Sequence, residues 1–448
     1  MLNKLYFDYH NDPKELFAVI EPRDWSVLLD SHAKQFTDQR FDIMTSDPIK
    51  KIYGRGSKTI LETKTAKEEH ICDPIDLLSD QMTFNQSSES TIPFTGGAIG
   101  FASYDQGNIY ENIKQNNDDF NIPYVAFGIY DWALIIDHKD KKTILIFQNK
   151  NEIVNNIIEY LSKQKNGNDR HTYTISSDCI SNTSFSEYEK KFTKIKSYIE
   201  NGDCYQINFA QRFMLNYEGS PWAIYKDLSQ SYGAPYSAYL SFPFAKIMSF
   251  SPERFIHQKD CIVETKPIKG TRPVSSNESE NNEFIEELRG SDKEKAENLM
   301  IVDLLRNDFG RTCEMGSVKV TSLFDIETFA NVHHLVSTVQ GKLKNKEKIF
   351  DLLKGCFPGG SITGAPKIRA MQIINELEVS NRGIYCGSIG YISTNSRCDV
   401  NIAIRTALSV DNTLYFWGGG GITFDSDVNS EYKETLDKIR PFLDCFRR

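Results

Sequence analysis

The 448-residue sequence predicts an α+β protein with large sheets. Apolar runs rich in β-branched and aromatic residues recur along the whole chain. In the second half they are interleaved with segments of helical periodicity. A hydrophobic fraction of 40% is enough for a sizeable core in a globular chain. A doubly wound α/β arrangement is the alternative reading of the same pattern.

From residue 1 to about 165 the chain reads as strands and turns with a few helices. Thr95 to Phe101 and Val125 to Ile136 are strand-like, and the polar stretch from Asn108 to Phe120 between them reads as a surface loop. A second polar stretch, Lys163 to Arg170, is the best candidate boundary, dividing the chain into regions 1–165 and 184–444. The second region opens on a helix in which Ser186 and Glu189 fit a capping box, and Tyr188, Phe192, Ile195 and Ile199 recur at helical spacing until Asn201-Gly202. Tyr205 to Phe209 then alternates like a strand. Further strands are expected at 238–242, 262–265, 388–393 and 413–417, with helices near 281–305, 347–355, 366–377 and 428–440.

Composition narrows the function. A net charge of -9, from 52 basic and 61 acidic side chains that are well mixed, offers no basic stripe for a phosphate backbone, so nucleic acid is not an expected partner. The N-terminus has no signal-peptide-like run and no stretch reaches the roughly 18 apolar residues of a membrane span, so a cytoplasmic location without a membrane partner is expected. Nine scattered cysteines lack any C-x-x-C pair and are expected to be free thiols, with no structural zinc.

Four features point to chemistry. Glu297 shares a helical face with Met300, Ile301 and Leu304, and a carboxylate there needs a cation or strong donors. A buried pair with Arg or Lys would serve equally, and Glu294 could close a capping box with Ser291. Glu431 and Glu434 lie i, i+3 on the last helix, opposite Tyr432, Leu436 and Ile439. Alone they read as a solvated acidic face; with Glu297 they form the all-oxygen ligand set that Mg²⁺ prefers. Gly418-Gly-Gly-Gly-Ile422 follows a strand and could present several amides to one anion, or could be a flexible turn. No nucleotide loop is present. Lys269 stands at a turn set by Pro267 and Gly270 and could act as a nucleophile if neutral. Deprotonating an ordinary lysine of pKa ~10.4 at pH 7 costs roughly 4.6 kcal/mol, so desolvation or nearby cations such as Lys266, Arg272 or a metal would have to help. A solvated turn lysine is the plainer reading.

These segments resemble the chorismate-using enzymes, the family of anthranilate, aminodeoxychorismate, isochorismate and salicylate synthases. The matching stretches include Ser251-Pro-Glu-Arg-Phe255, Pro267-Ile-Lys-Gly-Thr271, Ala296-Glu-Asn-Leu-Met300 through Arg306-Asn-Asp308, His334-Leu-Val-Ser337, Gly360-Ser-Ile-Thr-Gly-Ala-Pro-Lys367, Gly387-Ser-Ile-Gly-Tyr391, Ile404-Arg-Thr406 and Gly419 to Ser426. Trp25 to Leu29, Gly96 to Gly100 and Gly128 to Trp132 extend the resemblance into the first half. It implies an intertwined fold: a two-sheet β sandwich with helices packed outside and the active site in a central cleft.

Position by position, the resemblance implies that Glu297, Glu434 and Glu431 hold Mg²⁺ and through it the ring carboxylate of chorismate. Tyr391, Arg405, Gly419, Gly420 and Gly421 would receive the enolpyruvyl carboxylate, and Gly270 and Thr271 would line the pocket. His334 matches an active-site histidine, although a lone histidine is often only a core hydrogen-bonder. Gln206 stands where water-adding members carry a basic lysine. Lys269 stands where anthranilate synthases have alanine, and it marks the aminodeoxychorismate branch, in which it is the proposed nucleophile and Glu253 the acid. Ser361 in place of threonine and Cys386 in place of glycine fit that branch. The expected activity is the transaminase-class conversion of chorismate and ammonia to 4-amino-4-deoxychorismate for 4-aminobenzoate and folate. With no segment left for a glutaminase, ammonia is expected from a separate glutamine amidotransferase subunit. The alternatives are anthranilate synthesis or a catalytically silent chorismate- or tryptophan-binding subunit.

Overall fold

The computed structural model describes residues 2–447 apart from 34, 37, 38, 85–90, 115, 117, 118, 164–170 and 329–331. The proposed boundary therefore falls, beyond Lys163, outside the described residues.

Among the described residues two large sheets form, of 13 and 12 strands. The first runs from Asn3–Phe7 at one edge, through Ser26–Asp30, Tyr236–Phe242, Ala245–Ser251, Thr406–Val410 and Thr413–Ile422, to Gln206–Gly219 and Tyr173–Ile175. The second runs from Ile268–Pro273 through Val332–Lys342, Arg254–Lys259, Arg397–Asn401, Ser388–Ser393 and Gly97–Ala102 to Lys67–Ile71. The pairings named below are antiparallel. This is the α+β sandwich and not a doubly wound sheet, which needs parallel strands. Strands from both halves share both sheets: Ala238 pairs with Leu29, and Gly390 with Gly100.

The helices cover the outer faces, and no described helix is long and apolar enough to cross a membrane. The helix after residue 184 spans Phe185–Glu200 and buries Tyr188, Phe192 and Ile195 as its periodicity required. Its capping box is Ser184 with Glu187, two residues before the expected pair, because Ser184 is the residue that keeps an extended backbone (φ -72, ψ 162). The predicted helix at 281–305 is two, Glu278–Gly290 and Asp292–Thr312, broken at Ser291, which caps the second through its side chain. The expected loop at 108–120 begins instead inside the helix Tyr104–Tyr110, which buries Asn108.

The run 125–136 also divides. Val125–Tyr130 belongs to the second sheet and Trp132–Asp137 to the first, with Asp131 at the crossing. Two later crossings matter more. The chain leaves the first sheet after Ser251 and enters the second at Arg254, and it returns between Asn401 and Thr406. Glu253 and Arg405 sit on these two crossings. The crossings are bonded together: Ile402 N donates to Glu253 O at 3.0 Å, Ser251 Oγ to Ile402 O at 2.6 Å, and Phe250 N to Arg405 O at 3.0 Å. All nine cysteines are free.

Candidate active site

Glu253 is 7% exposed, and its carboxylate accepts a 2.7 Å hydrogen bond from Ser361 Oγ. Burial pushes its pKa up to about 7, against the opposing pull of that hydrogen bond and of the Lys269 charge. A buried acid that titrates near neutrality can deliver a proton at physiological pH.

Lys269 lies on Ile268–Pro273, paired with Val332–Lys342, where the register slips between Lys269 and Thr271. Gly270 occupies the slip with φ +69, and a Cβ there would meet Glu294 Oε2 and Leu288 Cδ1, both at 2.6 Å. Glycine is thus required twice, for conformation and for clearance. The bulge aims Lys269 Nζ at Glu297 Oε2, 3.5 Å away. The cations expected to assist Lys269 have carboxylates of their own. Lys266 pairs with Glu327 at 2.7 Å, and Arg272 with Glu294 at 3.1 Å and Glu287 at 3.2 Å. The charged group paired with Lys269 is a carboxylate.

Thr271 Oγ1 is hydrogen-bonded to His334 Nδ1 at 2.9 Å. Burial, and then the positive charge of Arg405, push the His334 pKa down to about 4 despite a hydrogen bond with the Gly270 backbone. The imidazole is therefore neutral at pH 7. Arg405 holds a left-handed backbone (φ 49), and its guanidinium, reachable from solvent yet enclosed enough that burial lowers its pKa, has no hydrogen-bond or ion-pair partner among the described residues. A strained backbone presenting an unpaired guanidinium is typical of a functional anion site. Arg405, His334, Tyr232, Glu434 and Lys438 line one cavity of about 380 Å³.

Two helices bring acids to this region. On Asp292–Thr312, Glu297 faces Lys269. Glu294 does not close the expected box: its amide bonds to Ser291 Oγ at 3.4 Å, while its side chain turns to Arg272 and leaves Oε2 buried without a partner. On Val428–Phe446, Glu431 is 8% exposed, on the same buried face as Thr435, Ile439 and Phe442. The solvated-face reading thus fails for Glu431 and holds only for Glu434, whose side chain is 48% exposed and pairs with Lys438 at 2.6 Å. Ser426 Oγ donates to Glu431 Oε1 at 2.6 Å, and Oε2 is buried and unpartnered. Burial, and to a lesser degree the Glu434 charge, raise the Glu431 pKa, with Ser426 and Lys293 opposing.

The glycine run is neither a turn nor a nest. Gly418 to Gly421 continue the strand Thr413–Ile422, paired with Gln211 to Asn208. On its other edge the ladder stops at Phe416, so the glycines have one strand neighbour only. None has positive φ; a Cβ would meet fixed backbone or Cβ atoms at Gly418 and Gly419 and side-chain ends at Gly420 and Gly421. A Cβ on Gly418 would lie 2.2 Å from Thr435 O, on Gly419 2.8 Å from the Ala210 Cβ, on Gly420 3.0 Å from Glu431 Oε2 and 3.3 Å from Glu434 Oε1, and on Gly421 2.1 Å from Gln206 Nε2. The C-terminal helix therefore lies directly on the glycine strand, with its acids over Gly420.

The carboxylates suit a hard cation: the donors are all oxygen, and Glu294 and Glu431 each leave a buried oxygen unpartnered. Among the described residues no three of His, Cys, Asp and Glu close around one point. A Mg²⁺ ion here would take few protein oxygens and complete its octahedron with water and substrate, its usual habit.

Contacts or charge interactions link Glu253, Lys269, Gly270, Thr271, Glu297, His334 and Arg405; the shared cavity adds Glu434, and Gly420 adds Glu431. Tyr391 stands apart. It lines a separate cavity of about 220 Å³ with Asp30, Tyr236, Arg254 and Asp399, and its ring meets Phe94 edge-on. The tyrosine beside the glycine strand is Tyr385, stacked on Trp417 at 5.7 Å. Glu294, which the sequence offered only as a capping residue, and Ser426 and Lys438 are the other residues of the site. Glu294 had a signal, since Glu294 and Glu297 repeat the i, i+3 spacing of Glu431 and Glu434. Two residues of the matched motifs are structural: Lys367 donates to Asp308 at 2.6 Å and to Cys356 O at 3.0 Å, joining two segments in the interior.

Residues 26–444 match the family described as chorismate binding enzyme. Aminodeoxychorismate synthase component 1 of Escherichia coli K12 is 40% identical over 431 residues, covering 95% of this chain and 94% of the relative. Anthranilate synthase component 1 of Lactococcus lactis is 34% identical over 429 residues, covering 93% of each. The crystal structure of anthranilate synthase component I from Streptococcus pneumoniae superimposes with a TM-score of 0.81 at 32% identity, covering 90% of this chain and 92% of that one. The fold, the ordered motifs and these similarities agree, and the chain belongs to the chorismate binding enzyme family.

Proposed function

We propose that this chain aminates chorismate to 4-amino-4-deoxychorismate, the precursor of 4-aminobenzoate, in the cytoplasm. The observation that carries the reading is Lys269 at the bulge, with the Glu297 carboxylate at 3.5 Å and the buried acid Glu253 within reach of its charge. The relatives named as aminodeoxychorismate synthase component 1 support it. Anthranilate synthesis is the second reading, favoured by the 34% identical relative, and Lys269 argues against it.

Chorismate is a dianion. Arg405 and the free edge of the glycine strand receive its enolpyruvyl carboxylate, while Glu297, Glu434 and Glu431 would hold Mg²⁺. When bound, the ion neutralises and orients the ring carboxylate. Lys269 Nζ, in its neutral form, attacks C2. The N–C2 bond forms, both conjugated ring double bonds shift toward C4, and the C4–O bond breaks as Glu253 gives its proton to the departing hydroxyl, which leaves as water. Ammonia then attacks C4, both double bonds return, the C2–N bond breaks to free Lys269, and the surplus proton on the new C4 nitrogen restores that of Glu253. One chorismate and one ammonia give one aminodeoxychorismate and one water. Two displacements replace one difficult step, which is the gain of a covalent intermediate. His334, neutral and bonded to Thr271, fixes the bulge beside Lys269 and cannot serve as an acid at pH 7.

Chromatography with mass detection of the product from chorismate, Mg²⁺ and ammonium tests the reading. Aminodeoxychorismate is expected, and fluorescent anthranilate would contradict it. Glutamine is expected to replace ammonium only after a glutamine amidotransferase partner is added. Glutamine-dependent turnover by the pure chain would contradict the separate partner.

The acid role predicts a pH dependence. Glu253 must be protonated and Lys269 neutral to act, so turnover at constant free ammonia should be bell-shaped in pH, with the proton of Glu253, which titrates at about 7, governing one limb. Glu253→Gln should lower turnover by about 10²-fold or more and remove this limb, general acids contributing typically 10²–10⁴-fold. An unchanged limb in the variant would assign it to another group.

A further inference from the structure

Two buried polar atoms are left unpartnered on one face of the glycine strand. Tyr188, on the helix Phe185–Glu200, is 0% exposed, and its hydroxyl has no hydrogen-bond partner. Glu431 Oε2 is the other. The Tyr188 ring packs against Phe209 and Tyr432, each at 5.2 Å. Phe209 lies directly opposite Gly420 in the ladder, and opposed residues point to the same face. On that face Gly420 looks onto Glu431 Oε2 and Glu434 Oε1. The hydroxyl accordingly feels the charge of Glu431 first and of Glu434 second.

Packing does not explain the hydroxyl. A phenylalanine would fill the same space among Phe209, Tyr432 and Ile195 without burying an unpaired polar group, which is destabilising. Glu431 already has one oxygen fixed by Ser426 at 2.6 Å. Its second oxygen and the tyrosine hydroxyl are both buried without a partner on this face of the sheet, and one ordered water bonded to both would satisfy them.

We propose that Tyr188 is a positioning residue for the metal site: its hydroxyl, through an ordered water, orients the Glu431 carboxylate that faces the cation. This rests on the Mg²⁺ reading above. Outer partners that aim a metal ligand typically change metal affinity by about 10–100-fold when removed.

The test is calorimetric titration of the full chain with Mg²⁺ alone, comparing the unmodified protein with Tyr188→Phe, together with thermal unfolding in the absence of metal. Tyr188→Phe is expected to weaken Mg²⁺ binding about tenfold while the unfolding temperature stays level or rises. Mg²⁺ affinity within twofold of the unmodified chain would overturn the proposal, and so would a lowered unfolding temperature with unchanged affinity, the mark of a packing role. If the unmodified chain binds no Mg²⁺ either alone or with chorismate present, the metal reading itself fails and takes this proposal with it. Binding by the unmodified chain with no effect of the substitution removes only the role of Tyr188.

Discussion

Glu297→Ala and Glu434→Ala are each expected to lower chorismate turnover by about 10²-fold or more, because on the proposed reading each removes a charged oxygen that would hold Mg²⁺ against the substrate carboxylate. The fold should survive. The side chains are 20% and 48% exposed, so truncation opens no core cavity. Glu434→Ala is the cleaner of the two, since Glu434 pairs with Lys438, whereas Glu297→Ala also removes the partner of Lys269. Excess chelator should silence the unmodified protein, and added Mg²⁺ should restore it. Steady-state rates with circular dichroism as the folding control are the measurement. Full activity in chelator would mean that these acids serve some other purpose.

Glu434 and Glu431 also show where the sequence was legible and where it was not. The last helix was readable from its periodicity, and so were its two acids. Their surroundings were not, because hydrophobic patterning reveals a buried face only by the side chains that fill it. Here the helix buries Glu431 and Thr435 against Gly418 and Gly420, which contribute no side chain. A strand of glycines lets a polar helix face come within backbone contact and leaves no apolar signal on either partner.

The same limit explains the crossings. Val125 to Ile136 is one uninterrupted apolar run, and nothing in its composition says that Asp131 ends one sheet and begins another. Glu253 and Arg405 were found by motif, but the reason their segments run side by side lies in hydrogen bonds between stretches some 150 residues apart, Ser251 to Ile402 among them. Tyr391 was carried over by motif alone, and its strand faces it toward Arg254 and Asp399 instead. Lys269 was legible through Pro267 and Gly270. The carboxylate it meets was not, because Glu297 comes from a helix that reaches the bulge only in the folded chain.

On the proposed reading Lys269 separates aminodeoxychorismate from anthranilate chemistry, and Lys269→Ala carries the second large effect. The variant should lose the covalent route altogether, while the acids and Arg405 still orient chorismate for a slower direct amination. Lys269→Arg should not restore the route, since a guanidinium stays protonated and cannot attack. The direct measurement is mass spectrometry of the intact protein incubated with chorismate and Mg²⁺ without ammonia. The unmodified chain should gain the mass of chorismate less one water, on a peptide containing Lys269, and ammonium should discharge it. Absence of any adduct, together with full activity and the same product from Lys269→Ala, would contradict the nucleophilic role and leave Lys269 as a turn residue paired with Glu297.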